Sequence, residues 1–347
     1  MLLIEIAIKY NQNIMAKRRW ALFFILVFFI IGIFLGVFGY QTLLAQNILP
    51  AATPVNPTFR NCPYHYINPL RCEPDRAPQK REYTTLRNDL IDYFKKQQQN
   101  GSLTTASIYF RDLENGPVLS INDQEDFSPA SLLKVPLMIT YLKKAQSDQS
   151  LLQRKVSVSG NFQSLPEQNI KPQQSAKIGG NYSIDELLAL LITESDNNSW
   201  EALLTDLRKN YSENDFIITL SDLGIIDPRK SADHQYVTVQ GYASIFRILY
   251  NSSYLNIPMS DKALNLLTHS DFPNGIVAGV PNTIKVAHKF GERKVGDDQQ
   301  LHDCGIVYYT ANPYLLCVMT RGHDISVLEQ VIQHVSQNVF AEVQKRN

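Results

Sequence analysis

Neither sign of charge is in excess. The 347 residues hold 33 lysines and arginines against 33 aspartates and glutamates. Nucleic-acid binders carry a basic surplus or stripe that neutralises phosphates, so this balance leaves no electrostatic case for such a partner. Cysteine and histidine are scarce, at four and seven copies, and no set of them has the spacing of zinc ligands. His288, His302 and Cys304 read instead as strand residues, and no metal is expected. Apolar residues are not scarce: at 44% they suffice for one large buried core, which excludes a disordered chain.

Charge is missing altogether from Trp20 to Tyr40, a run long enough to span a bilayer. Lys17, Arg18 and Arg19 precede the run and the next charge comes only at Arg60, which orients the N-terminus to the cytoplasm and the remainder outside. Gln41 to Asn47 offers no Ala-x-Ala cleavage pattern, so an uncleaved signal anchor is expected. Met1 and Met15 both remain open as the start. The expected organisation is a short cytoplasmic segment over 1–19, a transmembrane helix over 20–40, a linker over 41–81 and an extracytoplasmic domain over 82–347. Seven prolines between Gln46 and Arg81 make the linker an extended tether, with a strap packed on the domain as the alternative. On the oxidising side of a membrane Cys62 and Cys72 are expected to close a small loop there, whereas Cys304 and Cys317, in apolar runs, read as core thiols.

The domain opens with a helical pattern over Glu82 to Gln99 that stops at Asn100-Gly101. Ser107 to Asp112 and Pro117 to Ile121 then read as a hairpin about an Asn115-Gly116 turn. Ser183 with Glu186 forms a capping-box pattern that starts a helix over Ile184 to Ile192, and Val237 to Tyr250 is an amphipathic helix. From Lys144 to about His269 no strand is convincing. Strand character returns at Ile284 to Phe290, Cys304 to Thr310 and Tyr314 to Thr320, and a helix with a buried apolar stripe closes the chain from Ile325 to Gln344. The expected fold is α+β: an antiparallel sheet flanked by terminal helices, interrupted by an all-helical subdomain over about 140–270.

At the centre of this plan lies Ser128-Pro129-Ala130-Ser131-Leu132-Leu133-Lys134. Ser128 suits an N-cap and Pro129 a first helical position, and the apolar run through Leu142 places the helix inside the protein. Pro136 is expected to cost one helical hydrogen bond and kink the second turn. Ser131 and Lys134 share one helix face. A serine hydroxyl becomes nucleophilic when a neighbouring base takes its proton, and a lysine is that base once burial lowers its pKa. Ser-x-x-Lys alone is weak, since roughly one match is expected by chance in a chain this long. Ser195-Asp196-Asn197 after a strongly apolar segment is rarer, at roughly one in ten chains or fewer.

A third element, Lys289-Phe290-Gly291, sits on a strand before the final hairpin. The ordered set Ser131-x-x-Lys134, Ser195-Asp196-Asn197 and Lys289-Phe290-Gly291 resembles class A β-lactamases and the related penicillin-binding serine hydrolases, whose signatures are Ser-x-x-Lys, Ser-Asp-Asn and Lys-Thr-Gly. The resemblance runs from Glu82 to the C-terminus. It implies that Ser131 is the acylated nucleophile, Lys134 its proton acceptor, Ser195 a proton relay to the leaving nitrogen, and Lys289 a positive charge near the substrate carboxylate. Asn197 would hold the substrate amide, and the backbone N–H groups of Ser131 and of Glu292, next to Gly291, would form the oxyanion hole. The implied substrates are β-lactams or D-alanyl cell-wall peptides, with no cofactor.

Two departures qualify the resemblance. Phe290 stands where the family has a hydroxyl that binds the substrate carboxylate. The family's Glu-x-x-Leu-Asn loop, whose glutamate activates the deacylating water, has no counterpart: Leu220 to Val237 contains no glutamate, only Asp222, Asp227 and Asp233. Asp233 is the best-placed substitute base. An acyl-enzyme that forms readily and clears slowly is therefore expected, with a binding or sensor module of the same fold as the alternative.

Overall fold

In the computed structural model, which describes residues 32, 66, 83–114, 118–159, 168–225, 236–295, 297–310 and 312–346, the domain begins at helix α1 (Thr84–Gln99). Leu86, Leu90 and Phe94 form its buried stripe, and Gly101 just beyond its end takes φ +75°, a value that favours glycine. Strands β1 (Thr105–Asp112) and β2 (Val118–Ile121) form the expected hairpin; its Asn115-Gly116 turn lies outside the described residues. A two-residue strand β3 (Asp126–Phe127) leads to a 3-10 turn, Ala130–Leu133, and to helix α2 (Lys134–Ala145).

Between α2 and the late strands come β4 (Lys155–Ser157), β5 (Asn181–Ser183), α3 (Ile184–Thr193), α4 (Asn197–Asn210), α5 (Glu213–Asp222), β6 (Val237–Thr238), α6 (Val239–Tyr250) and α7 (Ile257–Leu267). The chain ends in β7 (Val286–Val295), β8 (Asp298–Val307), β9 (Tyr314–Gly322) and α8 (Ile325–Lys345). One antiparallel sheet runs in the order β2-β1-β9-β8-β7, so β7, the first of the three late strands, is an edge.

Strand periodicity divides the core into two layers. Ile108, Phe110, Leu316 and Val318 face α1 and α8, whose Leu328, Val331, Ile332, Val335 and Val339 repeat at helical spacing. Tyr109, Ala287, Cys304, Ile306 and Leu315 face the helical half, where α2 and α6 lie buried. Burying each such side chain stabilises by about 1.5–3 kcal/mol.

Several expectations change. The helical half contains two short antiparallel ribbons, β4 with β5 and β3 with β6, so it is not all-helical; each ribbon is two or three residues long, too short to leave an alternating pattern. Ser128 does not cap α2. The 3-10 turn intervenes and the helix starts at Lys134, so Pro136 falls in the first turn, where its missing N–H costs nothing, and α2 runs unbroken. Cys304 and Cys317 are directly opposed on β8 and β9 and form a disulfide, so they are not free core thiols. Their pairing depends on the hairpin register, which two apolar runs do not reveal alone.

In the linker, Tyr66 is buried: its ring meets Tyr308 edge-on, its N–H donates to Asp261 Oδ1 at 3.1 Å, and its carbonyl accepts from Tyr308 Oη at 2.9 Å. At this residue the linker is a strap on the domain. The proposed Cys62–Cys72 pair lies outside the described residues, as does the span expected at 20–40 except Gly32. Among the described residues no helix is long and apolar enough to cross a membrane. Arg60–Asn347 form one unit and Met1–Phe59 a second.

Candidate active site

Two backbone conformations that ordinary residues avoid bracket the site. Ala130 takes φ +47° and Ser195 φ +53°, each costing about 1–3 kcal/mol unless the surroundings impose it. At Ala130 those surroundings are dense. Tyr242 Oη on α6 donates to Leu132 O at 2.8 Å, and His302 Nε2 on β8 donates to Ser128 O at 3.0 Å. Arg293 Nη1 donates to Ser128 Oγ at 2.8 Å, and Gln300 Oε1 accepts from Ser128 N at 3.0 Å. Burial holds the His302 ring at about 4, so it is neutral, and among the described residues its Nδ1 meets no hydrogen-bond partner. Gly291 on β7 completes the contact: a Cβ there would sit 3.0 Å from both Leu132 Cγ and Pro129 O. Its glycine lets the edge strand close on the turn that carries Ser131.

Ser195-Asp196-Asn197 is fixed mainly through its middle residue. Asp196 caps α4, accepting from Asn198 N at 3.3 Å and from Ser199 N at 2.8 Å and Oγ at 2.6 Å, and it also binds Ser175 Oγ and Ala176 N. The cap turns Ser195 and Asn197 toward α2.

The four residues meet at the Lys134 ammonium. Nζ lies 3.0 Å from Ser131 Oγ, 2.5 Å from Ser195 O, 3.1 Å from Ser195 Oγ and 2.8 Å from Asn197 Oδ1. Lys134 is 3% exposed. Burial brings it down to about 7, against the opposing pull of Asp196 and Glu292. Two of its four neighbours, the carbonyls, only accept. A neutral amine gives its two N–H groups to those carbonyls and keeps a lone pair for a hydroxyl proton.

Lys289 projects from β7 to the same side as Ala287 and Gly291 and is fully buried, its Nζ donating to Phe290 O at 2.9 Å. Burial, and then the charge of Lys134, hold it well below the ordinary lysine value. Phe290 points to the opposite side and stacks on Phe272 at 4.7 Å. Glu292 follows on Phe290's side and accepts from Asn169 Nδ2 at 2.9 Å and from Ile170 N at 2.8 Å. Gln168 Nε2 donates to Ser195 O at 3.3 Å, so residues 168–170 bridge from the Ser195 turn to the edge strand.

Ser131, Lys134, Ser195 and Asn197 are thus brought together, Gly291 and Glu292 adjoin them, and Lys289 lies within electrostatic reach of Lys134. Asp233 and Asp227 lie outside the described residues; Asp222 is exposed and accepts from Tyr254 Oη at 2.8 Å. Among the described residues no cluster could hold a metal ion.

A family model described as the beta-lactamase enzyme family matches residues 85–343. The chain belongs to that family. A search of curated proteins returns no match. Among solved structures, that of PBP-A has a TM-score of 0.64 at 20% identity, covering 78% of this chain and all of that one. The TLA-1 extended spectrum beta-lactamase gives 0.63 at 18% identity over 76% of this chain and 99% of that one. A beta lactamase from Xanthomonas campestris gives 0.62 at 17% identity over 73% and 97%. The likeness is one of fold, and it covers the sheet and the helical half alike.

Tyr242, Arg293, Gln300 and the 168–170 bridge were not foreseen. None belongs to a triplet, and each acts through a contact more than a hundred residues away in sequence, or through a loop of no special composition.

Proposed function

We propose that this beta-lactamase family protein is a serine hydrolase that forms an acyl-enzyme on Ser131 with β-lactams or D-alanyl cell-wall peptides. The observation that carries the reading is the Lys134 amine, buried, low in pKa and 3.0 Å from Ser131 Oγ. Lys134 Nζ takes the hydroxyl proton as Ser131 Oγ attacks the amide carbonyl. The N–H groups of Ser131 and Glu292 hold the oxyanion, as Gly291's close approach to the Ser131 turn supports. As the C–N bond breaks, the proton passes from Lys134 through Ser195 Oγ to the leaving nitrogen, leaving an ester on Ser131. Asn197 orients the acyl amide, and Lys289 stands as a buried amine within electrostatic reach of Lys134.

Water must then cleave the ester. No glutamate stands between Leu220 and Val237, and Asp233 is proposed as a shorter-reaching base; loss of a placed base costs about a hundredfold to ten-thousandfold, so deacylation is slow. A solved PBP-A variant of the same fold is an acyl-enzyme complex with penicillin G, which supports acylation as the chemistry proposed here. The chain is proposed to sit in the cell membrane through residues 20–40, N-terminus cytoplasmic and domain outside, where the Cys304–Cys317 disulfide suits an oxidising compartment.

Intact-mass spectrometry of the full chain in detergent with benzylpenicillin, beside Ser131→Ala, tests the reading. A lasting adduct that needs Ser131 is expected. Penicillin consumed without an adduct would replace slow deacylation with true turnover, and neither adduct nor consumption would favour a sensor or binding module.

A further inference from the structure

The edge strand β7 forms one wall of the site, and its chemistry is unlike the rest. Phe290 and Glu292 lie on one side of the strand, two residues apart. The first is buried in a ring stack with Phe272 and offers no hydrogen bond to an anion. The second is a carboxylate that accepts from two uncharged donors, Asn169 Nδ2 and Ile170 N, and among the described residues it forms no ion pair. A second acid stands nearby: Glu329 on α8 accepts from Asn274 Nδ2 at 3.3 Å, and burial first, then the charges of Glu292 and Asp324, push its carboxyl up. Lys134 and Lys289 both feel Glu292, and burial holds both low.

Resting on the acyl-enzyme reading, we infer that Glu292 is a specificity-determining residue that rejects acyl donors with a carboxylate beside the scissile bond, in favour of donors that are uncharged or cationic there. Its charge stands one residue from the Gly291 contact that closes β7 on the Ser131 turn. The Asn169 and Ile170 bonds hold the Glu292 carboxylate beside the bridge that reaches Ser195 O, within electrostatic reach of Lys134, so an anionic group placed there meets a like charge, which is costly. An ester at that position meets no charge repulsion, and an amide or amine N–H also finds an acceptor in Glu292.

The test compares Ser131 acylation of the full chain by benzylpenicillin and by its methyl ester, which differ in that charge and one methyl group, in wild type and in Glu292→Gln. Glutamine keeps an acceptor for Ile170 N–H and leaves the backbone donor in place. The ester is expected to acylate faster than the acid by about tenfold or more, and Glu292→Gln to shrink that ratio about tenfold. Raising salt on wild-type protein, which needs no variant, is expected to shrink the ratio as well. An acid as fast as its ester, or a ratio unmoved by Glu292→Gln, overturns the inference and leaves the acyl-enzyme reading standing. Acylation of Ser131 by neither compound overturns both.

Discussion

The two sides of the candidate site differ in how closely they follow the family's motifs. On the helical side Ser131, Lys134, Ser195 and Asn197 fit together through four contacts to one nitrogen, all between 2.5 and 3.1 Å. On the β7 side the family's hydroxyl is a phenylalanine buried against Phe272, and the next side chain on that face is a glutamate tied to residues 169 and 170. The contrast separates residues that match the family's Ser-x-x-Lys and Ser-Asp-Asn signatures from a strand on which Phe290 departs from Lys-Thr-Gly.

The sharpest way to break the comparison is Lys134→Ala. If the helical wall supplies the base, Ser131 acylation falls about a hundredfold to ten-thousandfold, read as adduct formation against time, while the melting temperature does not drop in step. Next comes the hidden brace of the β7 side. The disulfide of Cys304, whose strand neighbour is Lys289, and Cys317 closes a 13-residue separation, and Cys304→Ala with Cys317→Ala is expected to cost about 2–4 kcal/mol in urea unfolding. Gly291→Ala has the smaller expected effect: its Cβ pushes on Leu132 and Pro129 O and costs about 1–3 kcal/mol, with slower acylation because the Ser131 turn shifts.

Much of this was legible in the sequence because the signals are local. The capping box of Ser183 and Glu186, the stripe of α8 and the hairpin of β1 and β2 depend on spacing within one element, and each stands where spacing puts it. The three triplets were legible for the same reason. What escaped depends on meetings between distant elements: Ser128, a plausible cap by type, spends its N–H, O and Oγ on Gln300, His302 and Arg293. The Cys304–Cys317 pair needed strand register, and the bridge to Glu292 comes from a loop of mixed polar composition. The apolar run placed the helix inside the protein, but whether the Lys134 amine is buried and lowered is set by its tertiary surroundings and is not legible in the sequence.

The most direct test of the central claim is the pH dependence of Ser131 acylation by the methyl ester of benzylpenicillin, whose own charge at the wall does not change. Lys134 must be neutral to accept the proton, and burial sets it at about 7, so the rate should rise with pH through an inflection near that value and level off above it. A rate that stays flat from pH 5 to 9, or climbs only toward the ordinary lysine range of about 10, would contradict Lys134 as the base.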